Sequence, residues 1–541
     1  MQLENREIES CRKEVYLISR AIVLAIAVLL LTRNISRPFT GPDWNDAQFG
    51  IFARNHVQYG LGYTKLFCTW GDIFHNWPGM TPPSGEQQRY LNHPPLLALF
   101  TAIPMYFLGD HEWVCRLVPI LTTLGSVWLL MVILSRVQSP LFGLIAGLFY
   151  ATLPAVAYFG RMLCHESPVQ FFCLLMLHGY LHWTGFYGNN SKPRSGVICY
   201  TTGVVLGIGT GWAAVIMAGL IWLWHICYCP RNSSSRRFLL WLAIIPGISL
   251  SVVLVHIMYG CNWDVSLFKP LFISRTAAPQ EPITWAEWGH DNWSYLRHNF
   301  SVAGIAAAVF YPVIILVIFA FTVQNSPFRQ ILSKKSVLPI SLTTLQGVIW
   351  VFVFKHQSYV HPYWQYFIAP FFAFVLTSVF LAAVTLFRKI IPSAATLLAI
   401  IILAAPMPFF AKALDFYHGS QWNELVGIIS ALRIVSQFIP AHVPVMTSEE
   451  FRPDSESFGN YKTYWINPQI YYYANRPLIY STDVNDIEAN REDCAAYIMG
   501  LTDDPATEVL AQELYGKYKK YGEPLMPAPN YLIFFLKDRS K

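Results

Sequence analysis

Two short polar clusters interrupt an otherwise apolar chain: Asp43-Trp44-Asn45-Asp46 and Arg161-Met162-Leu163-Cys164-His165-Glu166. A carboxylate at the edge of a bilayer is costly to keep there, so acids in such places mark the positions where chemistry is to be sought. Asp46 is suited to take a proton from an acceptor hydroxyl or to hold a divalent metal ion, and Glu166 and Asp43 are the acids that could assist or share that role. Arg89, His93, Arg116, Arg161 and Arg275 could neutralise a phosphate. The stretch His356-Gln357-Ser358-Tyr359-Val360-His361-Pro362-Tyr363-Trp364-Gln365-Tyr366 adds aromatic planes and donors, with His361 and Tyr363 foremost. Such a mixture suits a sugar, whose rings have apolar faces and polar rims, but it also suits an aromatic belt at a membrane interface.

Each residue has a plainer reading beside the chemical one. Asp43 or Asp46 could cap the helix that Ala47-Gln48-Phe49 begins, Asp being a favoured N-cap. Glu166 could pair with Arg161 or simply favour a helix start. His93-Pro94-Pro95 could be a rigid helix entry.

The elements that position these groups are membrane helices. Of 541 residues 54% are hydrophobic and 13% charged, and apolar runs of spanning length recur from Ala21 to Phe410. The expected fold class is a polytopic α-helical membrane protein with eleven spans: 15–32, 113–135, 140–159, 168–184, 197–212, 213–229, 238–258, 301–323, 337–354, 366–386 and 390–411. Pro94 to Gly109 is too short for a crossing and reads as an interfacial or re-entrant helix. With that run left out of the count, the basic residues of the N-terminus and of the loops at Arg136, Lys192, Arg236, Lys334 and Arg388 fall on one face, the cytoplasmic one by the positive-inside rule. Both acidic clusters then face the opposite, extracytoplasmic side, where they are expected to converge. The first hydrophobic run has no cleavage site after it and is read as a retained span.

From Lys412 the composition changes. Trp422 to Phe438 has helical spacing, Val443 to Thr447 and Tyr531 to Leu536 read as strands, and Ala506 to Tyr521 as an amphipathic helix. Two domains are expected, 1–411 in the membrane and 412–541 as a small extracytoplasmic α/β domain. The net charge of +6 is scattered through short loops, which argues against nucleic-acid binding. The ten cysteines show no metal spacing and no disulfide framework, and no Gly-rich phosphate loop is present.

Five motifs in order carry a resemblance: Asn45-Asp46-Ala47-Gln48-Phe49 with Ala53-Arg54, Asn92-His93-Pro94-Pro95-Leu96, Glu112-Trp113-Val114-Cys115-Arg116-Leu117, Gly160-Arg161 with Glu166-Ser167-Pro168, and His361-Pro362-Tyr363. Over residues 15–390 the chain resembles the GT-C glycosyltransferases, nearest the polyprenyl-phosphate mannose and aminoarabinose transferases. The resemblance implies juxtamembrane helices in the first outer loop, Asp46 as base or acceptor-positioning group and Glu166 as its assistant or as a metal ligand. It implies inverting transfer of a sugar from a polyprenyl-phosphate donor to an acceptor glycolipid, glycan or protein, in a bacterial inner membrane. Two departures stand out. Asn45-Asp46 occupies the place of an Asp-Glu pair, and Gly211-Trp212 stands where the aminoarabinose type has a phosphate-gripping Lys. The rival class is a transporter or flippase of lipid-linked sugars, whose mark would be charge at the bilayer midplane on broken helices.

Overall fold

Prolines and glycines, rather than the ends of apolar runs, set many of the helix boundaries in this protein. The computed structural model describes residues 2–538 apart from 41–42, 71–88, 229–232, 265–282, 322–333, 420–424, 441–442, 450–453, 459–460, 466 and 503. The chain divides into two compact units.

The first unit comprises residues 1–35, 116–258 and 268–418. Its helices are α1 (Gln2–Leu31), then α4 (Leu117–Val137), α5 (Pro140–Thr152), α6 (Pro154–Phe159), α7 (Glu166–Trp183), α8 (Pro193–Thr210), α9 (Ala213–Tyr228), α10 (Ser233–Gly260), α11 (Trp285–Phe321), α12 (Lys334–Val353), α13 (Ala369–Ile390), α14 (Ala395–Ala404) and α15 (Met407–His418); α2 and α3 belong to the second unit. Among the described residues five stretches are long and apolar enough to cross a membrane: Glu14–Leu31, Glu112–Val137, Phe238–Gly260, Pro362–Arg388 and Thr396–His418. Shorter apolar helices include Pro140–Thr152, Ala213–Tyr228 and Leu338–Val353.

Three differences from the sequence reading have local causes. The run 140–159 is two helices, because Pro154 lacks an amide hydrogen and pushes Leu153 out of the helical region, to φ −56° and ψ 132°. The run 301–323 is the second half of a longer helix that begins at Trp285 and kinks at Ser301, where φ is +60°. The last run extends past Lys412 to His418, and Asp415 in that extension pairs with Arg33 at 3.1 Å. The break expected near Gly211 lies between α8 and α9.

Helices α7 and α8 form an antiparallel hairpin packed backbone to backbone. A Cβ on Gly179 would lie 2.2 Å from the Tyr200 amide nitrogen, and one on Gly203 2.6 Å from that of Met176. Small residues at such crossings let helices approach closely where lipid supplies no hydrophobic drive. Gly203→Leu is therefore expected to lower the yield of folded protein and its thermal midpoint, since the atoms it meets are backbone and cannot rotate away.

The second unit comprises residues 36–115, 259–267 and 419–541. It holds α2 (Trp44–Thr64), α3 (Leu96–Leu108), and the antiparallel pair of β1 (Cys68–Thr69) with β2 (Arg89–Tyr90). At 13 residues α3 is about 20 Å long, short of a bilayer crossing. The C-terminal part carries α16 (Val426–Phe438), β3 (Val445–Thr447), the hairpin β4 (Asp454–Phe458) and β5 (Tyr461–Trp465), α17 (Pro468–Ala474), β6 (Leu478–Tyr480), α18 (Val484–Ala489), β7 (Ala496–Gly500), α19 (Pro505–Tyr518), β8 (Leu525–Ala528) and β9 (Tyr531–Phe535).

Five of these strands form one sheet in the order β6-β3-β7-β9-β8, parallel around β3 and antiparallel from β7 to β8. Residues Ala496 to Met499 of the central strand β7 are all buried, as expected of a strand covered on both faces. On one face Met446, Tyr497, Met499 and Phe534 pack with Ile487 of α18 and Leu514 of α19. Residues 36–115 share a unit with this tail through α17: the Phe39 amide donates to the Tyr473 hydroxyl at 2.8 Å, and Arg54 donates to the Tyr472 carbonyl at 2.8 Å.

Candidate active site

In the first unit the site is built at the start of α7. Glu166 lies in its first turn, ahead of the stretch 168–184 read as a span, and is only 4% exposed. Its carboxylate is met by the Cys164 thiol and by its own amide, which favour the charged form, but burial outweighs both and pushes its pKa up to about 7. Its Oε2, the Ser167 hydroxyl and both amide atoms of Gln170 are buried without a hydrogen-bond partner among the described residues. Residues 166 and 170 share a helix face. Buried polar groups are normally paired, so four such atoms in one turn and a half mark a place where further polar groups belong. The Gly211 backbone closes on this turn: a Cβ there would sit 2.9 Å from the Val169 side chain and 3.4 Å from that of His165.

Tyr366 lies within electrostatic reach of Glu166 and Cys164, and its hydroxyl is 3.3 Å from that of Thr123, which donates to the Gly160 carbonyl at 2.7 Å. Sequence reasoning counted Tyr366 only as one aromatic of its loop, and no local pattern distinguishes it from its neighbours. The loop itself is scaffold. Asn299 donates to the Pro362 carbonyl at 2.8 Å and to Gln365 at 3.1 Å and accepts from the Tyr417 hydroxyl at 2.6 Å, while Gln365 reaches the Asn292 carbonyl at 2.9 Å. Within that loop His361 stacks on Tyr363 at 5.0 Å, and Tyr363 meets Phe159 edge-on at 6.0 Å. Asn299→Ala would leave several buried partners unpaired and is expected to destabilise the protein by about 3 kcal/mol, measured as a fall in its thermal midpoint.

Two of the candidate cations in this unit hold backbone. Arg116 is fully buried and donates to the Ile35 carbonyl at 2.6 Å. Arg161, 2% exposed, donates to the Arg33 carbonyl and lies over the Tyr158 ring.

In the second unit Asp46 lies in the first turn of α2 and is fully buried. Asp43 is the residue ahead of that helix, yet its side chain makes no capping bond. Asn45 to His56 are all buried, so the first three turns of the helix are enclosed on every side although they carry Asp46, Gln48, Arg54, Asn55 and His56, while residues 57–63 are exposed or half-buried. Three of these have specific partners: Arg54 pairs with Asp110 at 3.0 Å, Asn55 donates to the Thr69 carbonyl at 2.7 Å, and His56 Nδ1 is 2.9 Å from the Thr64 hydroxyl. Burial lowers the His56 pKa to about 4, so that ring is neutral at ordinary pH. Glu112 accepts from the Tyr473 hydroxyl at 2.9 Å and pairs with Arg433. Arg89 donates to the Gly260 carbonyl at 3.1 Å and lies over the Phe67 ring, and His93 stacks on Tyr90 at 6.0 Å. Arg275 lies outside the described residues. Among the described residues no three His, Cys, Asp or Glu side chains are grouped as a metal cage.

Residues 92–259 match the sequence profile of the dolichyl-phosphate-mannose-protein mannosyltransferase family. The apo oligosaccharyltransferase of Archaeoglobus fulgidus superposes with a TM-score of 0.54 at 11% identity, over 94% of this chain and 70% of that one. The same archaeal enzyme, AglB, in complex with an inhibitory peptide and a dolichol-phosphate gives 0.53 at 12% identity, over 94% and 71%. The chain resembles the GT-C glycosyltransferases in fold. ArnT from Cupriavidus metallidurans bound to undecaprenyl phosphate also matches this GT-C-like chain, with a TM-score of 0.47 at 13% identity over 96% of this chain and 98% of that one. A search of curated protein sequences returns no match.

Proposed function

We propose that this protein is an integral-membrane glycosyltransferase that moves a sugar from a polyprenyl-phosphate donor to an acceptor hydroxyl on the extracytoplasmic face. The observation that carries the reading is the start of α7, where a buried carboxyl with a pKa near neutrality adjoins unpartnered hydroxyl and amide groups of the kind a sugar would satisfy. The profile match over residues 92–259 and the GT-C-like fold support it.

In the proposed reaction the acceptor oxygen attacks the anomeric carbon from the face opposite the phosphate. The new C–O bond forms as the bond to the phosphate oxygen breaks, and the configuration inverts. The leaving polyprenyl phosphate departs with the electron pair and needs no strong acid. Asp46 receives the proton that the acceptor hydroxyl loses. Ionised Glu166 accepts hydrogen bonds from sugar hydroxyls, and Ser167 and Gln170 both accept from and donate to them. Arg89, Arg116 and Arg161 are assigned to the donor phosphate: each directs one guanidinium nitrogen to a backbone carbonyl, which fixes the side chain, and a guanidinium has five N–H donors in all. Should a divalent ion take part, Asp46 or Glu166 would be its protein ligands, and it would neutralise donor phosphate charge.

The test is mass spectrometry of envelope glycolipids, glycans and glycoproteins from cells lacking the gene, complemented with the wild type or with Asp46→Asn. One sugar should be missing in the deletion, restored by the wild type and not by the variant. Restoration by Asp46→Asn would count against transfer and for a carrier that merely moves the lipid.

A further inference from the structure

At the other end of the first unit, α1, α5, α13 and α14 enclose a cavity of about 630 Å³. That is within the range of pockets that hold a small molecule, ~300–1,000 Å³. Chain connectivity fixes its depth in the bundle. Tyr366, within reach of Glu166, lies three residues before the start of α13, and that helix of 22 residues is about 33 Å long, close to a bilayer's hydrocarbon thickness. Arg388, in the last turn of α13, therefore lies at the opposite face of the bilayer from Glu166.

The polar lining gathers at that far end. Gln138 and Ser139 immediately precede α5, and Thr385 and Arg388 close α13, whereas Ile26, Leu148, Phe380 and Leu403 line the apolar remainder. No lining residue is acidic, and Arg388 is exposed. The lining residue Leu141 is 55% exposed, so the groove has an apolar wall open to acyl chains from the side.

We propose that this groove binds one anionic phospholipid of the leaflet opposite Glu166, with its phosphate on Arg388 and an acyl chain along the apolar wall. A guanidinium matches phosphate oxygens in a two-point fork, and an apolar channel opening into a bilayer takes hydrocarbon rather than water. The lipid ties the lone entry helix α1 to α5, α13 and α14, and it is distinct from the donor placed at the Glu166 end.

The full-length protein, purified in mild detergent, is titrated with palmitoyl-oleoyl phosphatidylglycerol and with the phosphatidylcholine of the same chains, and bound lipid is counted by native mass spectrometry. One phosphatidylglycerol should be retained about fivefold more strongly than phosphatidylcholine, the worth of one basic residue against an anionic headgroup. Arg388→Ala should abolish that preference. Ala399→Trp, which fills the groove, should weaken both lipids at least tenfold; Leu144→Phe serves if the tryptophan variant does not fold, as judged by gel filtration and thermal unfolding. Unchanged retention in Arg388→Ala or in the groove-filling variant overturns the proposal. So does displacement of phosphatidylglycerol by an equal concentration of undecaprenyl phosphate, which would make the groove a donor-lipid site.

Discussion

Glu166→Gln is expected to lose transfer by about a hundredfold or more and, at pH 8, to be more stable than the wild type. Both effects follow from one buried carboxyl. In the folded chain its pKa stands near 7 against 4.5 for the free side chain, because burial disfavours the charge. Below pH 4.5 the group is protonated in folded and unfolded chains alike and costs nothing. Between pH 4.5 and 7 the folded chain keeps a proton that the unfolded chain has released, so stability falls as pH rises. Above pH 7 the loss is complete and amounts to about 3 kcal/mol. Gln carries no charge and escapes it. The thermal midpoint of the variant should thus match that of the wild type near pH 4, exceed it increasingly up to about pH 7 and keep that margin at pH 8. Wild-type kcat/KM should rise through about pH 7 as Glu166 ionises, and the residual activity of the variant should lack that rise. A variant that is inactive but less stable than the wild type at pH 8 would mean that Glu166 is an ordinary structural acid.

The second large effect belongs to Asp46. Asp46→Asn keeps the shape of the side chain and removes its ability to take a proton, so kcat should fall by about 10²- to 10⁴-fold with little change in the KM for the donor. Full burial makes the substitution a demand on packing as well, which the isosteric amide meets. Asp43→Asn is the control. Its side chain makes no capping bond to α2, so the helix should survive, and a fall of less than about tenfold would place the proton transfer on Asp46 alone. An Asp46→Asn enzyme that retains wild-type kcat would remove the assigned base.

Much of this protein was legible because hydrocarbon imposes strict rules on a chain. Long apolar runs had to become helices, since no other open structure satisfies the backbone in lipid, and the short run after Pro95 had to stop short of a crossing. The tail was legible through periodicity: Val426–Phe438, Val445–Thr447 and Tyr531–Phe535 form where their spacing placed a helix and two strands. Boundaries were less legible. Pro154 and Ser301 break runs whose hydropathy is continuous, and a local backbone constraint overrides a window average.

What the individual cations hold inside the protein could not be read from the sequence. Arg89, Arg116 and Arg161 have the composition of a phosphate site, yet each guanidinium is directed to a carbonyl far away in sequence, at Gly260, Ile35 and Arg33. Tyr366 beside Glu166, and the Tyr471 to Tyr473 segment that gathers residues 36–115 into the unit of the tail, are likewise contacts between distant segments.

By itself the sequence determined the helical membrane class, the chain order of the long apolar runs and the two acids to test, because transfer free energy and periodicity act residue by residue. Only the tertiary structure decided that Glu166 is buried with its pKa near 7 and that three candidate phosphate ligands brace the backbone. Desolvation and hydrogen-bond pairing depend on what distant segments bring to the same place, and that information is not local to any stretch of the chain.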